Sequence, residues 1–217
     1  MKVNADFSER VAVKFNENEW IPSPMAGVNR KMLDRIGDEV ARATTIVRFD
    51  PGSEFSPHTH DGGEEYLVLD GVFQDEEGDF GTGSYVRNPP TSKHTPAAMA
   101  GATILVKLHQ FDPDDRTAVT IDTKTEMPVD HEGVGVVPLF VDAHEDVRIE
   151  IWAAGAEINL DVIGGAEVFV LEGGFSQEDE AFEKWDWLRL PNGTQTTCIA
   201  GVDGARVWIK TGHLGAM

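Results

Sequence analysis

Pro51–Gly71, PGSEFSPHTHDGGEEYLVLDG, sets two histidines two residues apart, then a glycine pair, two glutamates and an apolar run that ends on glycine. Successive side chains of a strand point to opposite faces, so an extended PHTH projects His58 and His60 the same way. Asp61, Gly62 and Gly63 read as a tight turn, glycine being the residue that takes positive φ without steric cost. The strand after the turn runs back beside the histidine pair and brings a carboxylate, from Glu64 or Glu65, within reach. Alternation allows only one of the two to face the histidines. Further on, GSYVRNPPTSKHTP ends a strand in a proline turn and sets His94 just past it. Two imidazoles from one strand, a carboxylate across a turn and a third imidazole from a later strand form a set suited to Zn, Fe(II), Mn or Ni. The competing reading is a polar turn with solvated histidines.

The rest of the chain supports a β protein around this stretch. Its runs are short and rich in Val, Ile, Phe and Leu: RVAVKF, TTIVRF, EYLVLDGVF, SYVRNP, ATILVKLHQF. Turn signals such as DPG, DGG, EEGD and NPP separate them, which is the spacing of a sandwich or barrel. VNRKMLDRIGDEVARA, residues 28–43, is the candidate for a helix, but Gly37 interrupts it and charge surrounds it; it reads as strand, turn, strand. Residues 1–27 precede the first unit, and Trp20 with the following IPSP reads as an ordered arm or an added edge strand.

The pattern then returns. GGEEYLVLDGVF, residues 62–73, matches GGAEVFVLEGGF, residues 164–175, at a constant offset of 102 with seven of twelve positions identical. YVRNP (85–89) meets WLRLP (187–191) at the same offset, and ATILVKL near Ala102 resembles ARVWIKT near Ala205. A fixed offset sustained over two separate matches is the mark of a duplicated unit. The chain therefore divides into an arm plus first β unit over 1–116, a linker over 117–129 and a second unit over 130–217.

The spacing Gly52-x5-His58-x-His60-x3-Glu64-x6-Gly71 resembles the first cupin motif, and Gly83-x5-Pro89-x-Thr91-x2-His94 resembles the second. Thr91 stands where that motif usually has glycine, and Ala98 where it commonly has asparagine. A finer resemblance is to the ChrR cupin-like family, carried by WIPSPMAGV, KMLDRIGDEVARATTIVRF, HTHDGGEEYLVLDGVF, YVRNPPTSKH and KLHQFDPDDR. The resemblance implies an all-β bicupin of two tandem jelly-roll barrels. It also implies one divalent transition metal per chain held by three histidines and one glutamate. Zinc is the favoured ion, with iron, nickel or manganese as alternatives.

The internal repeat chooses between the glutamates. Glu65 meets Glu167, but Glu64 meets Ala166 and His94 meets Thr196. His58 and His60 meet Leu160 and Val162, or Asp161 and Ile163 with a slip of one residue. A ligand should vanish together with its co-ligands, so Glu64 joins His58, His60 and His94, and Glu65 is read as a rim or turn residue. The second unit is then a metal-free cupin, read as scaffold rather than as an apolar pocket.

Other residues carry less. His109, His131, His144 and His213 lack partners at ligand spacing and read as ordinary surface or core histidines. Cys198, the single cysteine, lies in an apolar strand and reads as a small core residue. QDEEGD, residues 74–79, reads as a solvated hairpin tip rather than a calcium site. Tyr66, Phe73, Tyr85 and Met99 are candidates either for the cavity wall or for the core.

The formal net charge of −20 disfavours nucleic acid and anionic membrane surfaces as partners. One cysteine excludes an internal disulfide, the N-terminus lacks an apolar signal core, and no run approaches a membrane span. The cytoplasm is the expected location. The ChrR-like resemblance implies a sensing or regulatory module, there joined to a zinc-binding anti-sigma domain. This chain has no CxxC and about twenty residues ahead of the first unit, so direct sigma-factor binding is not expected. The alternative it implies is a cupin-type metal-dependent dioxygenase acting on a diketone or aryl ketone. A small-molecule ligand at the metal and a homodimer are further expectations from the resemblance.

Overall fold

The computed structural model describes residues 1–38 and 40–214, with the side chain of residue 161 also left aside. Among the described residues there is no helix, and so none long and apolar enough to cross a membrane. The chain forms two compact units. The first comprises Met1–Ala5 with Glu19–Thr125, and the second Asp6–Asn18 with Glu126–Met217.

The main sheet of the first unit runs, in spatial order, Lys2–Val3, Val28–Gly37, Ala41–Phe49, Ala102–Leu108, Glu64–Asp75, Ser84–Asn88, Val119–Asp122. Neighbours along this path are antiparallel. The stretch 28–43 is strand, turn and strand, as its broken helical pattern predicts: Val28–Gly37 pairs with Ala41–Phe49. Short ladders close one end of the unit, Ser53–Glu54 with Ala97–Ala98 and His58–Thr59 with Lys93–His94. Trp20 belongs to this unit; the guanidinium of Arg48 lies 4.4 Å from its ring centre and the ammonium of Lys31 5.1 Å.

The second unit repeats the order: Val129–His131, Val134–Val141, Asp146–Trp152, Thr194–Thr211, Ala166–Gln177, Trp187–Leu190, Val11–Val13. The last place is filled differently in the two. In the first unit it is Val119–Asp122, from the stretch expected as a linker. In the second it is Val11–Val13, from the stretch expected as part of the first unit's arm. The edge strand Ser84–Asn88 and its counterpart Trp187–Leu190 each need a partner for their outer N–H and C=O groups, and the chain supplies one in both places.

Both faces of the central strands are buried. Tyr66, Val68, Val106 and Ile104 belong to one apolar cluster with Val47, Phe73 and Phe80. Glu65, Leu67 and Leu69 point to the opposite face and are equally buried. That face carries an unexpected charged layer. Glu65, which was expected at a rim or turn, is 2% exposed and accepts a hydrogen bond from the Tyr85 hydroxyl at 2.8 Å. In register on the two flanking strands stand Arg87 and Lys107, both buried. The second unit repeats the layer with Glu167, Arg189 and Lys210, where Trp187 Nε1 donates to Glu167 at 3.1 Å. His213, read from the sequence as an ordinary surface or core histidine, pairs with Glu167 at 2.8 Å. The glutamate common to both copies is thus a buried acceptor rather than a rim residue.

Candidate metal centre

Three short segments of the first unit converge on one point. His58 and His60 lie on and just past the two-residue strand His58–Thr59, and His94 is the register partner of His58 on the facing strand. The rings stand edge-on to one another, with centroids 5.0 Å apart for His58–His60, 4.9 Å for His58–His94 and 4.6 Å for His60–His94. One ligand atom from each lies within 4.8 Å of the others. His60 and His94 are buried, while His58 is exposed at the rim.

Glu64 joins this cluster from the first position of the strand Glu64–Asp75. Its Oε2 lies 3.4 Å from His60 Nε2 and 3.6 Å from His94 Nε2, and Asn88 Nδ2 donates to the same oxygen at 3.2 Å. Ligand atoms about 2.0–2.1 Å from a tetrahedral ion stand about 3.3 Å apart, so these spacings suit a shared metal. Glu65, facing away, takes no part.

Each imidazole is anchored through Nδ1. His58 Nδ1 faces the carbonyl of Ser56 at 3.2 Å, and His94 Nδ1 faces Asp75 Oδ2 at 3.0 Å. A carbonyl and a carboxylate only accept, so both Nδ1 atoms carry a proton, which in the neutral ring leaves Nε2 as the acceptor. His60 Nδ1 meets the Ser92 hydroxyl at 3.1 Å. Burial, the largest influence, holds His60 below the usual histidine range; Glu64 opposes this, and His94, His58 and His109 add to it. The imidazole is therefore neutral at pH 7. The Nε2 atoms of His60 and His94 are buried and make no hydrogen bond. Buried polar atoms are rarely left so without reason, and neutral imidazole nitrogens beside a carboxylate are a donor set that a divalent transition metal fits.

The loop 89–92 fixes His60 from below. Its Ser92 carbonyl accepts from His60 N at 2.9 Å, and Thr91 N donates to the His60 carbonyl at 3.0 Å. Thr91 has φ +76°. The position where glycine is usual thus keeps the left-handed backbone that glycine would take easily, and a β-branched residue bears it.

Asp75 and Ser92, which contact the imidazoles of the cluster, are positions that the sequence reading missed. Asp75 was counted in a solvated hairpin tip, yet its side chain is 5% exposed and sits behind His94. The rest of that tip braces the same loop: Glu76 accepts from Thr95 N at 2.9 Å and Gln74 from Met99 N at 3.1 Å. The register shift between Thr103 and Ile104 explains the oversight. One extra residue in Glu64–Asp75 switches the inward set from even to odd numbers, so Glu64, Tyr66 and Val68 share a face with Phe73 and Asp75.

The second unit has the same place with different chemistry. Leu160 and Val162 pack with its core, and Ile163 is exposed, so the alignment without a slip applies. Ala166 replaces Glu64. The pair His94–Asp75 becomes Thr196–Gln177, joined by a 3.0 Å hydrogen bond from Gln177 Nε2. Arg10 donates to Gln177 Oε1 at 3.0 and 2.7 Å and to Glu180 at 2.7 Å. Cys198 is fully buried and its thiol is pushed up to about 12, chiefly by burial, which matches a small core residue. Of the candidate wall residues, Phe73 lies 6.2 Å from the His94 ring, Tyr85 faces the opposite side with Glu65, and Met99 is exposed.

Residues 8–112 match the family model of the ChrR Cupin-like domain. Among curated proteins no sequence relative is found. Solved structures share the fold over nearly the whole chain. A protein described as a "putative dioxygenase" from Nostoc punctiforme is 15% identical, covering 97% of this chain and 85% of its own, with a TM-score of 0.74. The bacterial pirin YhhW from Escherichia coli, solved in complex with nickel(II), is 12% identical with coverages of 94% and 99% and a TM-score of 0.69. Bacillus subtilis oxalate decarboxylase, studied for its Mn(II) centres, is 12% identical with coverages of 93% and 76% and a TM-score of 0.62. At these identities the likeness shows the fold, a β architecture of the cupin kind.

Proposed function

With a ChrR Cupin-like segment over residues 8–112 as the premise, we propose that this is a two-cupin protein whose first unit holds one divalent transition metal and whose second unit is a metal-free scaffold. The ligands are His58, His60 and His94, with Glu64 as the fourth. The observation that carries this reading is the pair of buried Nε2 atoms without hydrogen bonds, set beside a carboxylate and backed through Nδ1. The role is that of a sensing or regulatory module that responds to a small molecule at the metal.

A bound divalent ion supplies Lewis acidity and coordination positions for a small ligand. The chain's part is to hold it. Ser56, Ser92 and Asp75 orient the imidazoles, Asn88 steadies Glu64, and Phe73 packs beside the His94 ring on the inner side. His58 at the rim leaves the outer side open to ligand. Zinc is the favoured ion for this role.

A second reading, a metal-dependent dioxygenase of small carbonyl compounds, is favoured by this open rim and by the dioxygenase description of one structural neighbour. Elemental analysis of protein purified without chelator, beside a His58→Ala/His60→Ala variant, tests the metal. About one ion per chain, lost in the variant, is the expected result; retained metal in the variant overturns it. Oxygen uptake with a panel of diketones then separates the readings. Turnover favours the enzyme, and binding without turnover favours the sensor.

A further inference from the structure

Tyr66 stands two residues after Glu64, on the same face of its strand, and is 1% exposed. Its ring meets Phe73 edge-on at 5.1 Å, and Phe73 leads directly to the His94 ring at 6.2 Å. The Tyr66 hydroxyl is buried and has no hydrogen-bond partner. A buried hydroxyl without an acceptor costs free energy, and this one stands on the same strand face as Glu64.

The second unit supplies an independent argument. Position 168, which aligns with Tyr66, is a fully buried valine. The hydroxyl is therefore absent from the unit that lacks the histidines, Glu64 and Asp75. Features that serve the sheet itself, Glu65 with Glu167 and Arg87 with Arg189, persist in both. By the reasoning that separated Glu64 from Glu65, Tyr66 sorts with the site. Core packing alone is met by valine at this place.

We infer that the Tyr66 hydroxyl is the donor for an acceptor oxygen of a small ligand seated at the metal, a positioning group that selects oxygen-bearing ligands. The carboxylates of the site set the charge class, since a dianion meets like charge from Glu64 beside His60 and His94 and from Asp75 beside His94. The ligand is accordingly a neutral or singly charged molecule with a carbonyl or hydroxamate-like oxygen. This rests on the reading that His58, His60, Glu64 and His94 hold the metal.

The test uses the full chain loaded with Co(II), as wild type and Tyr66→Phe, with cobalt per chain measured by elemental analysis. Binding is followed by the visible cobalt bands during titration with acetohydroxamate and, separately, with imidazole, whose outer nitrogen offers a donor and no acceptor. Expected are equal cobalt contents, acetohydroxamate binding weakened about 5- to 10-fold in Tyr66→Phe, and imidazole binding unchanged. Equal acetohydroxamate affinities in both proteins overturn the inference while leaving the metal reading intact. So does loss of cobalt or of the folded state confined to Tyr66→Phe, which assigns Tyr66 to the metal or the core. If the wild type takes up no cobalt, the metal reading falls and the inference falls with it.

Discussion

The two units place the same strands in the same order and treat one face of the sheet alike, yet they treat the other face in opposite ways. On the shared face each unit buries a glutamate between an arginine and a lysine, and an aromatic donor from the neighbouring strand satisfies it: Tyr85 for Glu65, Trp187 for Glu167. The arginines are covered alike, Arg87 by Phe111 with Asp115 and Arg189 by Phe7 with the Asp6 carbonyl. On the other face the first unit gathers three imidazoles and a carboxylate where the second packs Leu160, Val162 and Ala166. The charged layer therefore goes with the fold, and the histidine cluster with Glu64 is an addition that the second unit does without. Function in this architecture sits in a site placed on a tolerant frame.

The comparison breaks most sharply at the metal. His60→Ala should abolish stoichiometric metal while circular dichroism and the cooperative unfolding transition persist, since the second unit folds around Val162 at that place. Unfolding on loss of the ion would make the metal a structural part and the comparison false. Next in size are Glu65→Ala and Glu167→Ala. Each removes a buried carboxylate that stands in register between an arginine and a lysine, and each should cost about 3–5 kcal/mol in chemical denaturation. A large cost in one unit and none in the other would show that the layer is not equivalent.

Asp75→Ala removes the partner of His94 Nδ1 and should weaken metal binding about 10- to 100-fold in a competition titration, whereas Gln177→Ala should leave it unchanged. A pH series on metal-free protein sharpens the same contrast. His60 is held below its ordinary value, so the folded state binds fewer protons than the unfolded chain once the pH drops below about 6.5. Stability should be full above that pH and decline below it until folded His60 is protonated, and the decline should disappear in His60→Leu. The smallest effect is expected at Thr91→Gly, which relieves a β-branched residue at φ +76° and should raise stability by about 1 kcal/mol with His60 still in place.

The sequence exposed most of the strands and the residues of the histidine cluster, for identifiable reasons. Period-two alternation and turn residues gave the strands, and the constant offset of 102 gave the duplicated strand order. The histidines were legible because HxH is a local spacing and His94 follows a proline turn. Glu64 became separable from Glu65 only by setting the copies side by side. Asp75 stayed hidden because a bulge between it and Glu64 reverses the alternation, and no periodic pattern reports a bulge. The charged layer stayed hidden because Glu65, Arg87 and Lys107 are brought together by register across three strands, which single-strand patterns do not encode. The unit membership of residues 6–18 depends on a pairing with residues far along the chain, again a matter of register.

That pairing also sets an order of events while the protein is being made. Val11–Val13 leaves the ribosome well before its partner Trp187–Leu190. At about 5–20 residues per second the wait is on the order of ten seconds or more. During it the strands of the first unit, which all lie before residue 123, can assemble, while the segment 6–18 dangles as an unclaimed edge. Completion of the second unit is therefore the late step, and the early segment is the part of the nascent chain that most needs shielding from wrong partners.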